Sequence, residues 1–126
     1  MSSPILIVDD EPFMLRLIDA SLKKGGFTAA TCRSGESAIE WATQHPPQLI
    51  IIDLMMPGLD GLATLQVMRQ TTALADVPII MLTAKGHLLA QVEATRIGVE
   101  VFLTKPFSPS QLLDEVKRLL AAHTVS

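Results

Sequence analysis

Apolar residues gather in five short runs along the chain, and each run gives way to polar or turn-forming residues. The runs are Ile5 to Val8, Phe27 to Cys32, Gln48 to Asp53, Val77 to Leu82 and Val99 to Thr104. Four β-compatible residues in a row, as in Leu49-Ile50-Ile51-Ile52, predict a strand buried on both faces. The segments between the runs change to a helical period. Met14, Leu17, Ile18 and Leu22 recur at helical spacing, so a helix is predicted from about Glu11 to Lys24, with Pro12 in the tolerant first turn. Gly25-Gly26 predicts a left-handed end to it. Ser34 caps a second helix in which Ala38, Trp41 and Ala42 share a face, with Trp41 as a packing residue; His45-Pro46-Pro47 breaks it. Pro57 and Gly58 force a loop, and Asp60 reads as the N-cap of a helix from Gly61 to about Gln70. A polar link follows. Gly86-His87 leads into a fourth helix ending near Ile97, with Gly98 as its stop. Ser108-Pro109-Ser110-Gln111 spells a capping box with proline in the first position. Leu112, Leu113, Val116, Leu119 and Leu120 form the stripe of that last helix, and Ala121 to Ser126 is too short for another element. Met55, Met56 and Met68 read as packing residues.

Five strands alternating with five helices through short loops demand parallel strands and right-handed crossovers. Helices then cover both faces of one doubly wound sheet, an α/β architecture. No internal repeat, low-complexity segment or linker interrupts the pattern, so one domain is expected over 1–126, with its core at about 4–122.

The 126 residues include 48% hydrophobic and 18% charged side chains, a globular balance rather than a disordered one. A net charge of −3 leaves no basic stripe to meet phosphates, so no nucleic acid is expected on this domain. The single cysteine, Cys32, excludes an internal disulfide and a cysteine zinc site. Met1-Ser2-Ser3-Pro4 lacks the basic and apolar regions of a secretory signal, and no run approaches the ~18 apolar residues of a membrane span. No membrane association and a cytoplasmic location are expected.

Four of the strands end in polar residues: Asp9-Asp10, Asp53, Thr83 and Lys105. Carboxyl ends of parallel strands share one edge, where open α/β sheets bind ligands, so these side chains should converge. Three neighbouring carboxylates repel unless a cation joins them, and a hard divalent ion such as Mg²⁺ prefers oxygen ligands. Lys105 adds a compact positive charge and Thr83 a hydroxyl donor. Together they describe a site for a phosphoryl group neutralised from several sides.

Asp9-Asp10, the stretch Asp53-Leu54-Met55-Met56-Pro57-Gly58-Leu59-Asp60-Gly61, Thr83-Ala84 and Lys105-Pro106-Phe107 come in an order and at spacings that resemble the receiver domains of bacterial response regulators, the CheY-like family of two-component signalling. The resemblance spans essentially the whole chain. It implies a flavodoxin-like fold with strand order 2-1-3-4-5. It implies that Asp53 accepts a phosphoryl group from a phosphohistidine, on a sensor histidine kinase or phosphotransfer protein. Asp10, Asp53 and the backbone carbonyl of Met55 would bind Mg²⁺, or Mn²⁺, directly, and Asp9 through a water. Thr83 and Lys105 would hold phosphate oxygens, Thr83 and Phe102 would form the switch, and Lys105-Pro106 would be cis. The surface of the fourth helix, fifth strand and fifth helix would then change shape to control a downstream target or an output domain, as a monomer or weak dimer. Such a chain catalyses its own phosphorylation and dephosphorylation and is not a turnover enzyme. With no output domain after Ala122, it is expected to be a stand-alone regulator or a receiver cut from a larger protein.

Taken singly, the same residues fit plainer roles. Asp10 could cap the first helix, Thr83 could make a local hydrogen bond, Lys105 could lie on the surface and Phe102 in the core. Glu11 fits a solvated first-turn acid, and His45, His87 and His123 have no metal-ligand spacing and read as solvated. A phosphatase of the haloacid dehalogenase type would place a second aspartate where Met55 stands. A flavodoxin would need a Ser/Thr/Gly-rich phosphate loop in place of Asp9-Asp10-Glu11. A receiver that no longer takes phosphate would not need the full acidic set. The chain departs from the family pattern at Gly98-Val99-Glu100, at Val101-Phe102, at Met55 and at Lys85; the last two positions bear on access of water to a phosphoaspartate.

Overall fold

The computed structural model describes residues 3–84 and 86–125, with side chains as far as Ala122. Lys85, the Met1-Ser2 start of the chain and the His123 side chain therefore lie outside the described residues. The strands are β1 (Ile5–Val8), β2 (Ala29–Cys32), β3 (Leu49–Asp53), β4 (Ile79–Thr83) and β5 (Val101–Thr104). The helices are α1 (Pro12–Lys24), α2 (Gly35–Gln44), α3 (Gly61–Gln70), α4 (Leu88–Ile97) and α5 (Pro109–Val125). All pairings are parallel, in the order β2-β1-β3-β4-β5, which is the expected flavodoxin-like arrangement.

Successive residues of a strand point to opposite faces, and the two halves of the core follow that rule. Leu6, Val8, Ile50, Ile52, Ile79 and Met81 pack with Ala38, Leu65 and Ala94, under α2, α3 and α4. Ile5, Ile7, Leu49, Ile51, Ile80 and Leu82 pack with Ile18, Leu22, Leu112 and Val116, under α1 and α5. Every residue of β1 and β3 is buried, which explains their unbroken apolar runs.

The helix starts are fixed by local chemistry. Ser34 accepts from the Ser37 amide, Asp60 accepts from the Ala63 amide, and Ser108 and Gln111 exchange side chain-to-backbone bonds as a reciprocal capping box. Asp10 does not cap α1; the residue at the cap is Glu11, without a side-chain bond, and Asp9 Oδ1 accepts the Glu11 amide instead. At the far end of α1 the left-handed residue is Gly26, at φ 87°. α5 continues through Val125, because Ala121-Ala122 sustain a helix and nothing breaks it.

Three strands begin two residues later than their apolar runs. The Phe27 amide closes the end of α1 on Leu22 O, the Val77 amide bonds Leu74 O in a 3-10 turn at Thr72–Leu74, and the Glu100 amide reaches Ile79 O. These residues are apolar, or lie beside apolar ones, because they pack; only single inter-strand bonds precede the ladders, from Ile5 to Thr28 O, from Ile50 to Pro78 O and from Glu100 to Ile79 O. His45 is exposed and stacks on Trp41, with ring centroids 4.9 Å apart. His87 differs from the solvated residue expected: its Nδ1 is closed off from solvent without a hydrogen-bond partner. Met56 and Met68 are buried, whereas Met55 is largely exposed. Among the described residues no helix is long and apolar enough to cross a membrane.

Candidate functional site

The strand ends bring the expected side chains together. Asp9 directly follows β1, Asp53 ends β3, Thr83 ends β4 and Lys105 directly follows β5. The register aligns them: Val8 lies beside Ile52, Asp53 beside Leu82, and Thr83 beside Thr104. Lys105 is tied to β4 by its amide, which donates to Thr83 O at 2.7 Å. Its Nζ donates to Asp53 Oδ2 at 3.1 Å and to Asp9 Oδ2 at 3.3 Å. The other oxygens of these two carboxylates are also engaged: Asp53 Oδ1 accepts from the Met55 amide at 3.2 Å, and Asp9 Oδ1 from the Glu11 amide at 2.9 Å.

The charges are held out of water. Asp9 is fully buried and Asp53 only 5% exposed. Burial pushes the Asp53 carboxyl above its ordinary range; the hydrogen bond and charge of Lys105 pull it back only in part, and Asp9 adds repulsion. For Lys105, burial works against the ammonium, but Asp53 and Asp9 together outweigh it and hold its titration above the ordinary value.

Asp10 completes the cluster. One oxygen each from Asp9, Asp10 and Asp53 lie within 4.8 Å of one another. Three carboxylates against one ammonium leave an excess of two negative charges in a largely buried cup. That donor set, all oxygen and all anionic, fits a hard divalent cation. Met55, whose carbonyl the resemblance adds to the ligands, stands two residues beyond Asp53 at the mouth of the loop. The Lys105-Pro106 peptide bond is cis. Phe102 on β5 is half-buried and packs against the core under α2, α3 and α4.

The loop after Asp53 depends on Gly61. A Cβ there would collide with the Asp53 carbonyl oxygen, and the Gly61 amide donates to Leu54 O at 3.0 Å. So α3 can start directly against the backbone of Asp53 only with glycine at that place. Two neighbours of the site escaped the sequence reading. Arg33 Nη2 reaches Asp10 O at 3.4 Å, and Gln91 Nε2 reaches Thr83 Oγ1 at 3.4 Å. Neither belongs to a motif; each contact joins separate elements and carries no local signal.

Known proteins resemble this chain in sequence and fold. Residues 5–117 match the response regulator receiver domain family. The alkaline phosphatase synthesis transcriptional regulatory protein PhoP of Bacillus subtilis is 37% identical over 120 residues, covering 95% of this chain and 49% of that protein. The DNA-binding dual master transcriptional regulator RpaA of Synechocystis is 35% identical over 116 residues, covering 92% of this chain and 48% of that protein. The chain thus spans about half the length of the curated relatives it matches. Among solved structures, the chemotaxis protein CheY4 of Vibrio cholerae superposes with a TM-score of 0.88 at 27% identity, covering 94% of this chain and 98% of that one. The receiver domain of NtrX from Brucella abortus gives 0.86 at 30% identity, covering 93% and 98%. With residues 5–117 matched and the sheet order shared with solved receiver domains, the chain belongs to the response regulator receiver domain family.

Proposed function

We propose that Asp53 is a phosphoacceptor and that the chain works as a phosphorylation-controlled switch in two-component signalling. The observation that carries this reading is the pair of bonds from Lys105 Nζ to Asp53 and Asp9, beside the third carboxylate of Asp10. A buried, ionised carboxylate oriented by an ammonium is a poised nucleophile. An Asp53 oxygen attacks phosphorus of a phosphohistidine; the P–N bond breaks and its electron pair leaves with the imidazole. Mg²⁺, or Mn²⁺, held by Asp10, Asp53 and the Met55 carbonyl, with Asp9 acting through a water, would supply neutralisation of the phosphoryl charge. Lys105 and Thr83 then bind phosphoryl oxygens, exchanging a carboxylate partner for a more charged one.

The new charge at Asp53 draws Thr83 inward, and Phe102 follows into the space. The surface of α4, β5 and α5 takes up the change; there Leu88, Leu89 and Val92 are 71%, 87% and 65% exposed, a ready contact for a partner or second copy. Moving such a switch from 1:99 to 99:1 takes roughly 5.5 kcal/mol, within reach of several charge-assisted hydrogen bonds in a dry site. The donor is a sensor histidine kinase or phosphotransfer protein in the cytoplasm. The output is a target protein or attached domain; the relatives' names point to transcription. The domain itself, taken as 4–122, binds neither nucleic acid nor membrane and is not a turnover enzyme.

Labelling by acetyl phosphate in Mg²⁺ tests the assignment. Asp53→Asn is expected to abolish labelling, and labelling of that variant at the full rate would refute it.

A further inference from the structure

Thr83 is only 1% exposed, and its hydroxyl is engaged on one side. A hydroxyl offers one donor and two acceptor positions. Oγ1 accepts from Gln91 Nε2 at 3.4 Å, which leaves its own proton to be donated elsewhere. Gln91 belongs to α4, half-buried in its second turn.

That bond is also the tie between α4 and the end of β4. Among the described residues, the other side-chain hydrogen bonds of α4 stay inside the helix, from Thr95 to Gln91 O and from Arg96 to Glu93. The start of α4 has little else to fix it. His87 at its N-cap makes no side-chain cap bond, and Leu88, Leu89 and Val92 face water. Ala90 and Ala94 pack against the core as two small side chains with a shallow hold, and the larger Ile97 packs there only at the far end of the helix.

We propose that Gln91 is a positioning residue that latches the Thr83 hydroxyl in its resting orientation. The inference rests on the reading of Asp53 as phosphoacceptor and extends it. When Thr83 turns to donate to a phosphoryl oxygen on Asp53, Oγ1 leaves Gln91, and the first turns of α4 lose their hydrogen bond to the sheet. The same contact therefore opposes activation in the resting state and passes the event to α4. At 3.4 Å the bond is long, so it resists without locking.

Beryllofluoride, which mimics a phosphoryl group on an aspartate, is the probe, titrated calorimetrically in Mg²⁺. Gln91→Leu removes the donor at similar size and is expected to tighten beryllofluoride about three- to tenfold, the span of one neutral side-chain hydrogen bond. Gln91→Glu replaces the donor with an acceptor that takes the Thr83 proton, and is expected to weaken binding by at least a similar factor. In a Thr83→Val background both effects should vanish, because the latch has nothing to hold. Thermal melts confirm folding, and Gln91→Met serves if the leucine variant unfolds. Unchanged affinity in Gln91→Leu, an equal change in the Thr83→Val background, or an equal change in Mg²⁺ affinity would each overturn the latch. If wild-type protein binds Mg²⁺ but no beryllofluoride, the phosphoacceptor reading fails and the latch falls with it.

Discussion

Replacing Lys105 with methionine keeps most of its aliphatic stem and deletes its charge. Two carboxylates, one fully buried and one 5% exposed, then face each other without their ammonium. At an effective dielectric of about 20, each contact at 3.1 Å and 3.3 Å is worth roughly 5 kcal/mol of attraction. Desolvation of the lysine and relaxation of the pocket offset much of it, so a loss of about 3 kcal/mol is expected, the lower end for stripping one partner from a buried pair. An unfolding entropy of about 2.1 cal/mol/K per residue over 126 residues gives roughly 265 cal/mol/K, so Tm should fall by about 11 °C.

The dependence on pH separates charge from packing. Burial already raises the Asp53 carboxyl above its ordinary value, and Lys105 is what lowers it, so the methionine variant raises it further. An acid with a raised folded pKa is stabilising when protonated, and that contribution is lost as pH rises through the folded value. The gap between wild type and variant should therefore be small in acid, widen as Asp53 ionises, and level off near neutrality. Mg²⁺ should close much of the gap at neutral pH by replacing the missing positive charge. Calorimetric melts from about pH 4 to about pH 8, with and without Mg²⁺, measure both. A fall in Tm that is independent of pH and untouched by Mg²⁺ would show that Lys105 serves through its stem alone.

Asp53→Asn should leave the metal-free protein equally stable or raise its Tm by a few degrees at neutral pH, since it removes a charge that folding disfavours. Asp10→Asn should weaken Mg²⁺ binding at least tenfold in a calorimetric titration with little change in Tm, because it thins the oxygen cluster. Gly61→Ala should cost more than about 2 kcal/mol in denaturant unfolding, since its methyl meets the backbone of Asp53. Ser108→Ala should cost about 1 kcal/mol by the same measurement, the worth of a broken capping box at the start of α5.

The order of elements and the strand-end cluster were legible because both rest on short-range rules. Ile50-Ile51-Ile52 can be buried on both faces only in a covered sheet, and a parallel sheet gathers its strand ends on one side. The caps at Ser34, Asp60 and Ser108 were legible for the same reason. The starts of β2, β4 and β5 were not, because hydrophobicity reports burial while the ladder is decided by where an amide finds its carbonyl. Arg69 shows the limit clearly. Its guanidinium binds the carbonyls of Leu74, Ala75, Val77 and Gly98 and the Glu100 carboxylate, joining the α3–β4 and α4–β5 connections. In the sequence it is one more basic residue at the end of a helix. The burial of His87 Nδ1 and the reach of Gln91 to Thr83 are hidden likewise, since each depends on how α4 lies on the sheet.

The carboxylate cluster is a place in the fold where like charges are crowded. Its carboxylates are held by apolar strands that leave them little water, so among the described residues their repulsion is met by the Lys105 ammonium and by the amides of Glu11 and Met55. A surface site would satisfy those charges with solvent and respond little to one more. Here an added charge changes a balance already tilted to the negative side, and the bonds at stake run to different elements: Lys105 follows β5, Thr83 ends β4, and Gln91 reaches Thr83 from α4. A change at Asp53 would thereby reach β5 through Lys105, β4 through Thr83 and, through Gln91, α4 with its exposed Leu88, Leu89 and Val92.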